Sequence, residues 1–480
     1  MRSLSNRQII TGLIILYALV RVVSFLTYDN YGAQGVIAVL LLGSFIYFCI
    51  KNISLAWTIL IGEILLDGAG HFFELKGLIL RTWFLGIFAV IWLVQKIRTK
   101  TWPDLPPKNV YRSMAVFGLF LIFAIVNGSL RHHSPIFVAQ DAILYLFFLL
   151  LFPALDAKNI FQPIRSSIIK TFIIGSTVFS AITLFLYSSG LAVLTDPYYH
   201  WFRNVAAGKI TDLGENFFRI VLPEHLFIIP IILVIAAYLI RQTKNTKLWI
   251  LMICVLAVLA LNFTRIYILG LVTGLLILFY RENLKKWLAV SAITLACLLV
   301  IFCSLHLITS RGQSVGLELL GLRVAGVQTP VSDPSGAIRL ALLPDIFRTI
   351  KNSPLLGSGL GTTVTYIDPV TKEKLTRTQF DWGYLEMIAE LGIIGTLAYL
   401  IFLLTILYNL TRTTYNDPAA SEHYPLGRGL LAGAVALFVI NITTPALFQG
   451  FGVIYFVFII LVSGACARLP GEPLRTSKPL

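Results

Sequence analysis

The chain has 480 residues, 57% of them hydrophobic and 13% charged, with a mean hydropathy of +0.83. That composition excludes an ordinary water-soluble domain, because lipid is needed to cover so much apolar surface. The formal charge of +15 is spread over short connections between apolar runs, which argues for membrane topology and against a nucleic-acid partner.

A window of roughly 20 residues, the length of one membrane crossing, picks out about fourteen candidate spans. In chain order they are Ile9–Thr27, Gly35–Ile50, Ile53–Leu66, Gly77–Val94, Ser113–Val126, Ile136–Pro153, Ile168–Ser188, His225–Ile240, Leu248–Phe263, Ile266–Tyr280, Trp287–Leu307, Tyr384–Tyr408, Gly429–Thr444 and Gly450–Ala467. The expected fold class is an all-α polytopic membrane protein with about 12–14 transmembrane helices and one large helical extracytoplasmic loop. The expected division is transmembrane helices over 1–309, the loop over 310–383, further transmembrane helices over 384–467 and a cytoplasmic tail over 468–480. Arg2 and Arg7 before the first apolar run resemble a signal peptide, but no small-residue cleavage site follows, so the run reads as an uncleaved span. The five cysteines, Cys49, Cys254, Cys297, Cys303 and Cys466, sit inside apolar runs, imply neither disulfides nor a metal site, and leave no cofactor expected. No internal repeat or low-complexity segment is evident.

With the N-terminus inside, the basic runs Lys96–Lys100, Arg241–Lys247 and Arg281–Lys286 all fall on the cytoplasmic side, as the positive-inside bias requires. Both termini are then cytoplasmic, and the long polar excursion between Ser310 and Gly383 faces the periplasm or exterior of the inner (plasma) membrane. Outside the cytoplasm there is no ATP, so chemistry in the loop needs a substrate that is already activated. Gly357-Ser358-Gly359-Leu360-Gly361 lacks the lysine and strand of a nucleotide-binding loop and reads as a tight backbone turn.

Within the loop, Asp333 and Pro334 look like the N-cap and first position of a helix running through Ser353. On the helical wheel Leu342, Leu343, Ile346, Phe347 and Ile350 share one face, and Asp345, Arg348 and Asn352 the other. Arg339 falls within the apolar face, so a helix docked on that face carries it into a confined site; snorkelling, or a kink at Pro344, is the alternative. Arg265 is a second misplaced cation, in the short reversal Asn262-Phe263-Thr264-Arg265 at the predicted outer boundary. It either pairs with a carboxylate such as Glu390, binds a lipid headgroup, or joins Arg339 in holding a pyrophosphate. Arg21, Glu63, Asp67 and Asp141 lie in or near spans, where structural ion pairs and a pathway are equally open. His132, His133, Tyr198, Tyr199, His200, Trp201 and His225 fall on the predicted outer side, where such residues are more often interface anchors than catalysts.

Taken together, Arg339, the run Asn352-Ser353-Pro354-Leu355-Leu356-Gly357-Ser358-Gly359-Leu360-Gly361, Tyr384-Leu385 and Ala389-Glu390-Leu391-Gly392-Ile393-Ile394-Gly395 resemble the O-antigen ligase and O-antigen polymerase superfamily. The motifs carry the resemblance from about Leu248 to Gly395. It implies a membrane glycosyltransferase of the type C class, which uses an undecaprenyl-pyrophosphate-linked glycan as donor and a glycan or lipid hydroxyl as acceptor, without a metal ion. By that resemblance Arg265 and Arg339 face the donor pyrophosphate. Arg348, Tyr384, His200 and His225 are further candidates for substrate contact. Ligases of the family commonly carry a His-Asn pair where this chain reads Asp381-Trp382. Asp381 can orient the acceptor hydroxyl in the histidine's place, or cap the helix that follows, or both. The replacement leans away from a strict lipopolysaccharide ligase towards a polysaccharide polymerase or another oligosaccharide transferase. The competing class is a lipid-linked oligosaccharide flippase, which should show repeated halves and midplane charges; neither is clear here.

A reporter fused near Val327 should register as external and one fused after Arg475 as cytoplasmic. Either fusion on the opposite side would overturn the orientation.

Overall fold

A computed structural model describes residues 6–66, 71–103, 105–156, 161–328, 334–369, 372–416 and 424–466. Among these, nine helices are long and apolar enough to cross a membrane, and five shorter apolar helices accompany them. Together they fall one for one on the predicted spans. What was not expected is three two-stranded antiparallel hairpins, Glu74–Leu75 with Leu78–Ile79, Lys209–Asp212 with Phe218–Val221, and Val364–Ile367 with Lys374–Arg377. Asp67 and Asp333 lie outside the described residues.

The chain forms two compact units, residues 1–104 with 152–340, and residues 105–151 with 341–480. In the first unit two buried ion pairs involve side chains in spans. Arg21 of helix Asn6–Thr27 meets Glu224 at 3.1 Å, both nearly fully buried, and its guanidinium lies 3.5 Å from the Tyr17 ring centre. Arg81 meets Glu63 at 3.0 Å. Charges taken out of water persist when paired in this way, so the structural reading of Arg21 and Glu63 holds.

The second unit is organised by a break in one helix. Helix Gly383–Asn416 contains Gly392 at φ 70 and ψ 176, so its hydrogen-bond ladder is interrupted there. The groups set free are taken up by the glycine-rich loop. Ser358 and Gly359 N–H donate to the carbonyls of Ala389 (2.7 Å) and Glu390 (3.0 Å), which helical neighbours would otherwise use. Ile393 and Ile394 N–H donate to the carbonyls of Pro354 (2.9 Å) and Leu355 (3.1 Å). The approach is so close that a methyl group on Gly357 or Gly392 would collide with the facing backbone, and one on Gly359 with Gly128.

The same loop is tied down from the helices Lys108–Leu130 and Pro135–Leu146. Asn127 Nδ2 donates to Gly357 O (3.0 Å), Gly361 N–H donates to Asp141 Oδ2 (2.8 Å), and His133 Nδ1 donates to Leu360 O (2.9 Å). Asp141 and His133 are thereby occupied as braces. Around them Phe117, Tyr145, Phe148, Tyr399 and Phe402 form an aromatic core, Phe117 and Tyr399 with ring centres 4.7 Å apart, and Tyr399 Oη donates to Leu447 O (2.8 Å).

Helix Pro334–Asn352 runs from the first unit into the second and contains Pro344. Leu342 and Ile346 are fully buried, as the wheel predicts, but Phe347 is 54% exposed. Asp345 explains the difference in facing. Its carboxylate accepts from Thr365 N–H (2.8 Å) and pairs with Arg348 (2.9 Å), docking the polar side of the helix on the neighbouring hairpin.

Gly359→Ala combines a strained φ of 90 with a backbone collision, whereas Gly190→Ala has φ 78 but open space around it. The backbone term alone costs about 1–3 kcal/mol at either position. The melting temperature of the purified protein should therefore fall much further for Gly359→Ala than for Gly190→Ala; equal shifts would mean that the loop is not wedged against Gly128.

Candidate functional site

The first unit gathers arginines where the sequence reading placed two. Strand Phe218–Val221 buries Phe218 and Ile220 on one face, so the alternation of strand side chains turns Arg219 to the other. Its Nε donates to Asn262 O and its Nη2 to Thr264 Oγ1, each at 2.8 Å. This fastens the hairpin to the reversal between helices Thr246–Asn262 and Arg265–Ile277. The reversal is as short as predicted. Phe263 is left-handed at φ 46 and closes the first helix, Thr264 stands at the N-cap position of the second, and Arg265 opens it.

Arg323 and Arg339 complete the group. Arg323, on helix Leu317–Gln328, lies 5.5 Å above the Phe263 ring centre. Burial, and then the charges of Arg323, Arg339 and Arg265, bring the Arg219 guanidinium down to about 10, with only the Tyr267 hydroxyl opposing them. The charges of Arg323, Arg339 and Arg265 thus all disfavour the charge on Arg219. A bound anion with several oxygens would relieve that repulsion, and guanidinium forks match phosphate oxygens in pairs.

Behind Arg219 stands a buried polar chain. The Thr264 hydroxyl donates to Asn262 Oδ1, and Asn262 Nδ2 donates to His225 Nδ1 (3.1 Å), which also accepts from Leu222 N–H (3.4 Å). Both neighbours of His225 Nδ1 are donors, so that nitrogen is the bare acceptor of the ring. His225 is fully buried, and it holds Asn262. His200, midway along helix Pro197–Asn204, is exposed beside Tyr199, while Trp201 next to it is buried and donates from Nε1 to Ser24 Oγ (3.1 Å).

In the second unit Asp381 lies between hairpin Val364–Ile367/Lys374–Arg377 and helix Gly383–Asn416. It is not the helix cap. The helix begins at Gly383, the carbonyl of Trp382 accepts its first bond from Glu386 N–H (2.9 Å), and Asp381 sits at φ 55, a left-handed position that Asp tolerates. Its carboxylate lies 3.8 Å from Arg377. Glu386, nearly fully buried, reaches back to accept from Phe380 N–H (3.0 Å) and so fixes the backbone just before Asp381. Tyr384 Oη donates to Phe438 O (2.7 Å), an inter-helix tie. Arg348 is paired with Asp345 and its side chain is 72% exposed. Glu390 has Asp141 and Glu386 as its charged neighbours.

The sequence analysis singled out Arg265, Arg339 and Asp381 and did not single out Arg219, Arg323 or Glu386, which lie beside them in the structure. The alternation Phe218-Arg219-Ile220 was the available signal for the first. Among the described residues no group of His, Cys, Asp and Glu could hold a metal ion.

Residues 250–400 match the family model described as O-antigen ligase. The matched segment takes in Arg265, Arg323, Arg339, the glycine-rich loop and Asp381, whereas Arg219 and His225 precede it. The match supports the resemblance to the O-antigen ligase and polymerase superfamily, and with it a glycosyl-transfer enzyme of polysaccharide biosynthesis. No curated protein matches the chain.

Because Arg323 is the charge that bears most on Arg219, Arg323→Gln is the variant that tests the anion site, its pyrophosphate response read against its own ligand-free melting temperature. Sodium pyrophosphate should raise the melting temperature of the unsubstituted protein and raise that of the variant less. Equal stabilisation of both by pyrophosphate would remove Arg323 from the anion site.

Proposed function

We propose that the protein is a membrane glycosyltransferase that moves a glycan from an undecaprenyl-pyrophosphate carrier to an acceptor hydroxyl during cell-surface polysaccharide assembly. The observation that carries this reading is the group of four arginines around Arg219, a concentration of positive charge suited to a diphosphate. Its place is the inner membrane, with the arginines and Asp381 on the extracytoplasmic side and both termini in the cytoplasm.

In the reaction the acceptor oxygen bonds to the anomeric carbon while the bond from that carbon to the diphosphate oxygen breaks. The electron pair leaves with the diphosphate. Arg265 and Arg339 hold that leaving group and stabilise the charge it gains, with Arg219 and Arg323 supporting them. Asp381 accepts a hydrogen bond from the acceptor hydroxyl, orients it and takes up its proton as the new bond forms. Exposed Arg348 and His200 are assigned to outlying parts of the substrates, while Tyr384 and His225 act as supports. The missing His-Asn pair favours a polymerase or another oligosaccharide transferase over a strict lipopolysaccharide ligase. In a deletion strain, accumulated unpolymerised lipid-linked repeats would mark a polymerase, and free long-chain lipid-linked polymer a ligase.

Arg265→Ala and Arg339→Ala should abolish transfer from a lipid-pyrophosphate donor while the protein still inserts and accumulates, and Lys should rescue only in part because it lacks the bidentate fork. Asp381→Asn keeps the left-handed backbone, since Asn tolerates it as Asp does, and should lose most transfer with little change in melting temperature. An Asp381→Asn variant as active as wild type would take the carboxylate out of the reaction, and full activity of Arg339→Ala would remove the donor assignment.

A further inference from the structure

The second unit contains an open cleft of about 460 Å³ beside Asp381. Its walls include Phe137 from the first turn of helix Pro135–Leu146, Thr376 and Arg377 from the hairpin, and Thr378, Gln379 and Asp381 from the connection that follows. The volume is far above the roughly 30 Å³ share of one water and lies among small-molecule sites, which run to roughly 300–1,000 Å³.

The chemistry of the walls selects among ligand classes. A diphosphate requires an excess of cations, but the only two charges among the described lining residues, Arg377 and Asp381, are opposite and 3.8 Å apart, so they largely cancel. An acyl chain requires apolar walls, but among the described residues Phe137 is the one hydrophobic side chain lining the cleft. What remains is one aromatic ring among hydroxyls, an amide, a guanidinium and a carboxylate, a set in which donors and acceptors alternate. A sugar ring presents the complement, with C–H groups on a face that packs against an aromatic ring and vicinal hydroxyls that donate and accept at once. Arg377 and Asp381 side chains are 38% and 43% exposed, so their polar heads can reach a ligand without first being uncovered. The frame is held from behind by the Glu386 carboxylate on Phe380 N–H and by the packing of Gly383 against Asn441.

We propose that this cleft is the subsite for the acceptor, binding an uncharged hexose unit of the acceptor glycan with Phe137 against its ring face and Gln379, Arg377 and Asp381 on its hydroxyls. The proposal rests on the glycosyl-transfer reading, which it deepens by naming the acceptor class. Gln379 sets which hydroxyl pattern fits, since its amide offers both a donor and an acceptor.

The test uses the full-length protein in nanodiscs. Saturation-transfer NMR with the methyl glycosides of glucose, galactose, mannose and N-acetylglucosamine reads sugar binding without turnover, and the thermal shift produced by sodium pyrophosphate reads the arginine group separately. At least one glycoside should receive saturation from the wild-type protein. Gln379→Ala and Phe137→Leu should each weaken that binding about fivefold to tenfold, the worth of one hydrogen bond or stacking contact, while the pyrophosphate shift stays as in wild type. Gln379 is exposed, so its truncation does not threaten folding. Saturation of no glycoside, or binding unchanged in both variants, overturns the subsite. Sugar binding lost in the variants from a protein that transfers no glycan would support the subsite and sink the transferase reading; transfer without glycoside binding would do the reverse.

Discussion

The broken helix at Gly392 is the constraint on which the second unit rests. A helix interrupted inside a membrane protein leaves peptide groups that lipid cannot satisfy, each costing several kcal/mol if left unpaired. Here the loop from Pro354 to Gly359 supplies partners for Ala389, Glu390, Ile393 and Ile394. The exchange works only if backbone meets backbone, which is why Gly357, Gly359 and Gly392 lie at contacts where a side chain would collide. It also sets the loop's length, since one residue more or fewer would slide every donor past its acceptor. The hairpin and Asp381 follow directly along the chain from this anchored loop, so their placement inherits its rigidity.

The two units differ in how they manage charge. In the first, Arg219 is held by a chain of neutral groups, the Asn262 carbonyl and the Thr264 hydroxyl, backed by Asn262 and His225. Such partners orient a guanidinium without cancelling its charge. In the second unit Arg377 and Asp381 offset one another at the rim of a polar cleft. A site for an anion and a site for an uncharged polyol need these opposite arrangements.

The helices were legible in the sequence because hydropathy over a span is a local property, and all the predicted spans have their helix. Arg265 and Arg339 were legible because each is a cation where its surroundings argue against one. Arg219 was not, because it sits in a four-residue strand whose pairing with Lys209–Asp212 is not written in any single segment. Arg323 was not singled out, since only tertiary packing brings its charge to bear on Arg219. For Asp381, singled out in the sequence, the cap alternative falls, since the helix start moved to Gly383 and left it in a left-handed turn. The wheel failed at Phe347 for a related reason, because the Asp345 contact with Thr365, invisible to periodicity, decides which side of that helix docks.

The crowding of arginines around Arg219 also bears on turnover. A glycan joined to a carrier diphosphate masks one of its oxygens, whereas the carrier left after transfer exposes that oxygen and carries roughly one more negative charge at neutral pH. For the proposed donor, the four arginines would therefore hold the spent carrier more tightly than the loaded one. Were departure of the lipid product the slow event of such a cycle, added salt, which screens the arginines, would quicken the enzyme at saturating donor before it weakened donor capture.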